Sequence, residues 1–231
     1  MLALLFATLL VQAKPSAAEL VKSVEEKYAG ATSFSCTMDG MLTSQGGGKF
    51  GQESWSGQLK SKGDGQARAE LTTVTDAAKT TVTTLVSDGK NVAIWTDKNP
   101  AQKRTAIAGI GPWTRRFQSR VGVAGFVRSA VAALFKVKTL KLDALYKVAS
   151  LADAGTEKVG TVECRIVSYV FDPPDRTLPQ EKCRLWIDSA NLVVLKRESV
   201  TKSGAATVTL TETFGSPVFN AEIEDDQFKI P

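Results

Sequence analysis

The spacing of apolar and polar positions changes twice along this chain. Residues 1 to 11 carry no charge and almost no polarity, and the run closes on Val11-Gln12-Ala13. About ten apolar residues are too few to cross a bilayer as a helix, which takes roughly twenty. The small-x-small ending predicts a secretory signal over residues 1–13, cleaved near Ala13, with residues 14–231 as one mature domain. Ser16-Ala17-Ala18-Glu19 then fits a capping box, in which Ser16 caps the helix and Glu19 reaches back. Leu20, Val21, Val24 and Tyr28 recur on one helical face, and Gly30 ends the run.

Beyond Gly30 the period drops to two. Phe34, Cys36 and Met38 alternate with Ser35, Thr37 and Asp39, which predicts a strand with one apolar face. Further strands are predicted around Trp55–Leu59, Ala67–Val74, Thr81–Val86 and Val92–Thr96. The Asp88-Gly89 step between the last two is a hairpin signal. The middle of the chain returns to helical spacing. Trp113, Phe117 and Val121 lie four apart, and Phe126, Val127, Ala130, Val131 and Leu134 form a second apolar stripe. The last third is again strand-like, near 147–153, 161–171, 182–188, 192–202 and 207–214. This order predicts an α+β fold: one curved antiparallel sheet, an incomplete barrel, with helices covering its concave face.

Composition narrows the chemistry. The chain has no His, which removes the commonest general base and metal ligand. Its three Cys contain no CxxC pair, so no zinc site is predicted. No phosphate-binding glycine loop is present, and no catalytic residue or cofactor is expected. Net charge is +5, distributed unevenly: residues 103–147 hold ten basic side chains and only Asp143 as an acid. Such an insert suits an anionic membrane surface or an acidic partner, or is simply a solvated helical face. Arg115, Arg116, Arg120 and Arg128 are expected on its exposed side. Nucleic acid is not an expected partner.

The cysteines lead to a sharper expectation. A turn centred on Pro173-Pro174 sets Cys164 opposite Cys183, Val162 opposite Leu185 and Glu163 opposite Arg184. A Cys164–Cys183 disulfide fits that register in an oxidising compartment, the alternative being two buried thiols. Cys36 is left as a small buried hydrophobe.

Several segments together resemble the LolA/LolB-like superfamily of bacterial envelope proteins. These are the helix running into Ser33-Phe34-Ser35, Ser54-Trp55-Ser56-Gly57-Gln58-Leu59, the hairpin Leu85-Val86-Ser87-Asp88-Gly89-Lys90-Asn91-Val92, Cys183-Arg184-Leu185-Trp186-Ile187-Asp188, and the closing Asp226-Gln227-Phe228-Lys229-Ile230-Pro231. The last two resemble the related outer-membrane lipoprotein-sorting-like proteins. The resemblance implies an apolar cavity and a soluble, monomeric periplasmic carrier of lipoprotein or lipid acyl chains. Its implied partners are those chains and, transiently, an anionic membrane or a membrane-bound donor or acceptor. An envelope-stress or lipid-sensing regulatory role on the same fold is the alternative. On this reading Phe34, Met38, Trp55, Leu59, Leu71 and Trp95 line the sheet side of the cavity. Phe126, Val127, Leu134 and Phe135 line a helical lid at about 105–147. The family's latch, an Arg-Pro after the second strand's Lys, is absent here: Lys62 is followed by Gly63-Asp64, and Lys62 or Arg68 is the candidate substitute. A Leu59→Arg change is expected to abolish acyl uptake in a domain that stays folded.

Overall fold

In a computed structural model of the chain, the described residues are 14–47, 49–76, 78–105, 110, 114–115, 122, 147–172 and 179–231. The proposed signal and the two predicted central helices lie outside them, apart from Ile110, Thr114, Arg115 and Gly122. Among the described residues no helix is long and apolar enough to cross a membrane.

Helix α1 (Ala17–Gly30) starts where the capping box places it, with Ser16 accepting from the Glu19 amide and Glu19 accepting from the Ser16 amide. Its stripe of Leu20, Val21, Val24 and Tyr28 is buried. Eleven strands follow among the described residues: β1 (Ser33–Gly46), β2 (Lys49–Lys62), β3 (Gln66–Thr75), β4 (Thr80–Asp88), β5 (Asn91–Thr96), β6 (Asn99–Thr105), β7 (Lys147–Val159), β8 (Val162–Asp172), β9 (Glu181–Asp188), β10 (Val193–Ser203) and β11 (Ala206–Phe219). A short 3-10 turn, Asp225–Phe228, closes the chain.

The strands form one open, curved antiparallel sheet in the order β6-β5-β4-β3-β2-β1-β11-β10-β9-β8-β7. Two meanders are joined where β1 meets β11, and the chain between β6 and β7 connects the two outer edges. Neither edge invites another strand. β6 carries Pro100, Lys103 and Arg104, and β7 is interrupted by irregular pairing at Ala149/Ala152 and Asp153/Thr156. One turn is built twice. Asp88 accepts from the backbone of Lys90 and Asn91 and from the Asn91 amide, and Asp188 does the same for Ala190 and Asn191. Each is an aspartate turn that stands in for a backbone turn between adjacent strands.

Period-two alternation gives the sheet two faces. The inner face holds the main core, with residues from β1–β5 and β8–β11 clustered beneath α1 and Ile110. The outer face is mostly polar, with a small cluster of Cys164, Ile166 and Trp186 and with Lys196 stacked on the Trp186 ring.

The expected disulfide is not formed, and all three cysteines are free and buried. In the β8–β9 ladder Cys183 pairs with Tyr169, Leu185 with Val167 and Arg184 with Ser168. Cys164 lies five residues back along β8, opposite Glu157 of β7. An odd offset also exchanges faces: Cys164 belongs to the outer cluster and Cys183 to the inner one. The cause is the connection. The ladder ends at Phe171 and Glu181, so the segment between the strands is longer than a two-residue turn on Pro173-Pro174. Thiol titration under denaturing, non-reducing conditions should therefore find three reactive groups, and reducing agent should leave thermal stability unchanged. A count of one would restore the disulfide.

Two ion pairs shape the acid response. Lys62 donates to Asp225, and Arg165 donates to Asp153; in each case the cation holds the carboxyl below its ordinary value. A carboxyl depressed in the folded state stabilises fully above its unfolded pKa of about 3.9, and that contribution disappears as pH falls through the lower folded value. Urea unfolding should show stability declining between about pH 5 and 3. The decline should be shallower in Lys62→Met, which removes one of the two cations.

Candidate functional site: the inner apolar face

Register and alternation build this site directly. Cys36, Leu59, Ala69, Leu85 and Ile94 stand in one row across β1 to β5. Phe34 and Met38 flank that row on β1, and Leu71 faces Gly57, the partner of Met38. Trp55 lies on the same face, with its indole over Gly40. A Cβ built on Gly40 would stand 2.1 Å from the ring, so only glycine leaves room for it. Tyr28 of α1 closes one end. Its ring meets Phe34 at 5.3 Å and Phe219 edge-on at 4.9 Å, and its hydroxyl accepts from the Val194 amide at 3.2 Å.

Five of the six sheet residues named from sequence, Phe34, Met38, Trp55, Leu59 and Leu71, are therefore gathered in one buried cluster. Trp95 is not among them. On β5, Val92 and Ile94 face inward, while Trp95 pairs with Thr84 on the outer face and is half-buried there. Phe126, Val127, Leu134, Phe135, Arg116, Arg120 and Arg128 lie outside the described residues. Arg115 departs from expectation. It is buried, and its guanidinium donates to the Gly63 carbonyl at 2.9 Å, so it ties the central segment to the β2–β3 turn instead of meeting solvent. Burial lowers its pKa, partly offset by Asp64.

Neither latch candidate faces inward. Lys62 and Arg68 occupy outer positions and bind the C-terminal segment, Lys62 at the Ile223 carbonyl and Asp225, Arg68 at the Gln227 carbonyl and Glu70. A groove of about 540 Å³ lies beside them, lined by Thr37, Ser56, Gln58, Lys60, Arg68 and Glu70. Apart from Met38 and Gly57 its walls are hydroxyls, amides and charges, which is the wrong chemistry for hydrocarbon.

The inner face is not wholly apolar. Arg197 and Glu212 face each other across β10 and β11 and are both fully buried, with Nη1 and Oε2 3.7 Å apart. Arg197 Nη2 also donates to Glu181 at 3.2 Å and approaches Cys183 Sγ at 3.8 Å. Burial pushes the Tyr169 hydroxyl and the Cys183 thiol above their ordinary values, so both stay neutral beside the guanidinium. Sequence reasoning missed this pair because the pattern Val193-Val194-Leu195 puts Lys196, not Arg197, on the inner face. An irregularity in the ladder between Val194 and Lys196 reverses the alternation. Among the described residues no three His, Cys, Asp or Glu side chains are placed to hold a metal.

No family model matches the chain, and no curated relative matches it. Solved structures do. A LolA superfamily protein from Nitrosomonas europaea aligns over 94% of this chain and 99% of its own, at 9% identity and a TM-score of 0.34. The lipoprotein LppX of Mycobacterium tuberculosis aligns over 90% and 98%, at 12% identity and 0.41. MucB, in its Pseudomonas aeruginosa complex with MucA, aligns over 93% of this chain and 61% of that chain, at 15% identity and 0.36. The superfamily that the sequence resembles is thus among these matches.

Proposed function

We propose that the inner face binds acyl chains and that the protein is a soluble, non-catalytic carrier of lipid or lipoprotein acyl groups in the periplasm. One observation carries this reading: a contiguous apolar cluster, drawn from β1–β5 and β8–β11 and buried beneath α1, lies on the inner side of a sheet that curves without closing. Burial of hydrocarbon there gains about 0.8 kcal/mol per methylene. The sheet's two edges are joined by the basic segment between β6 and β7, which we assign as the lid. Its sequence supplies Phe126, Val127, Leu134 and Phe135 for the apolar side. Arg116, Arg120 and Arg128 are assigned to contact with an anionic membrane. The sequence resemblance supports the class of cargo.

Photolabelling with a diazirine fatty acid tests this. Adducts should concentrate on peptides containing Phe34–Met38 and Trp55–Leu59. Labelling confined to the outer groove, or spread evenly over the surface, would overturn the assignment.

A further inference from the structure

One row of the inner face departs from the apolar pattern. Across the ladder, Trp55, Gly40, Glu212, Arg197, Leu185 and Val167 are successive neighbours. Trp55 is 7% exposed, and its Nε1–H has no hydrogen-bond acceptor. That nitrogen lies over Gly40, 2.3 Å from where a Cβ would be, and Gly40 is the ladder neighbour of Glu212. A buried donor left without an acceptor is costly, and a well-packed Phe would avoid the cost. Farther along the row, Arg197 is held between Glu212 and Glu181. Burial acts to lower its pKa, but Tyr169, Cys183, Glu212 and Glu181 outweigh that and keep it cationic. A buried ion pair gains little over apolar side chains of equal volume, so stability does not account for this row. Gly122 packs on the pair, and a Cβ there would stand 1.7 Å from Glu212 Oε2.

We propose that this row is a polar-head subsite, in which the Trp55 indole N–H and the Arg197 guanidinium take the oxygen acceptors of an acyl ligand's carboxylate or ester head. Phe34, Met38, Leu59 and Leu71 on the same face then take the chain. The inference rests on the reading of the inner face as an acyl site. It adds selection: an amphiphile with an oxygen head is preferred over a hydrocarbon of similar size.

Three fluorescent probes separate the possibilities: cis-parinaric acid, its methyl ester, and headless diphenylhexatriene. Trp55→Phe should lower the affinity for acid and ester relative to diphenylhexatriene about tenfold, the effect of one hydrogen bond to an acceptor. Arg197→Lys should lower the acid relative to the ester, which separates a carboxylate head from an ester head. Glu212→Gln removes a negative charge without changing shape and should strengthen the acid relative to the ester. Circular dichroism and the unfolding midpoint verify that each variant is folded. Unchanged ratios in both Trp55→Phe and Glu212→Gln would overturn the subsite. If the unmodified protein binds none of the three probes, the acyl reading itself fails. If it binds diphenylhexatriene as well as the headed probes, only the head subsite fails.

Discussion

Leu59→Arg yields no folded protein. Leu59 is fully buried in the five-strand row, between Cys36 and Ala69. The change removes about 2–3 kcal/mol of apolar burial and places a guanidinium where desolvation costs several kcal/mol more. Domains of this kind are stable by only about 5–15 kcal/mol in total. Chemical unfolding should show no cooperative transition, and the protein should collect in the insoluble fraction. This revises the expectation that the domain would stay folded, because Leu59 lies within the core and not on a rim. Trp95→Arg is the matched control. Trp95 is half-buried on the outer face, so its replacement should leave a cooperative transition, with a loss of about 1 kcal/mol. Equal damage from both changes would contradict the assignment of faces.

Tyr28→Ala is the second large effect, about 4 kcal/mol, from the range for large aromatic deletions in a core. Three contributions add. The ring is fully buried, it meets Phe34 at a tilt and Phe219 edge-on, and its hydroxyl accepts from the Val194 amide. Tyr28→Phe keeps the ring and leaves that amide without its acceptor, at about 1–2 kcal/mol. Urea unfolding of the two variants separates ring from hydroxyl. A loss below about 1 kcal/mol for Tyr28→Ala would mean that α1 does not close the core.

Much of the fold was legible in the sequence wherever one local rule acted alone. Ser16 and Glu19 marked the helix start because capping is a matter of four adjacent residues. Asp88-Gly89 marked a hairpin because the turn's bonds are local. Phe34, Met38, Trp55, Leu59 and Leu71 fell together because strict alternation holds along β1, β2 and β3. Where alternation breaks, or pairing depends on a connection, the reading failed. β6 was missed because Asn99-Pro100 and Lys103-Arg104 show no apolar alternation, yet an edge strand tolerates both. The β8–β9 register slipped five places because Pro173-Pro174 looked like the turn. Trp95 was assigned by bulk and not by parity, although Val92 and Ile94 already fixed the inner side. Arg197 and Glu212 were invisible because charged residues in strands normally face water, and only an irregularity near Val194 turns Arg197 inward.

The central claim, that the inner face is a hydrocarbon site, is tested most directly by chain length. Saturated fatty acids of increasing length should displace a bound fluorescent fatty acid with affinities that rise about fourfold per methylene, as about 0.8 kcal/mol per buried CH₂ requires, until the face is filled. Affinity independent of chain length, or no displacement at any length, would contradict it.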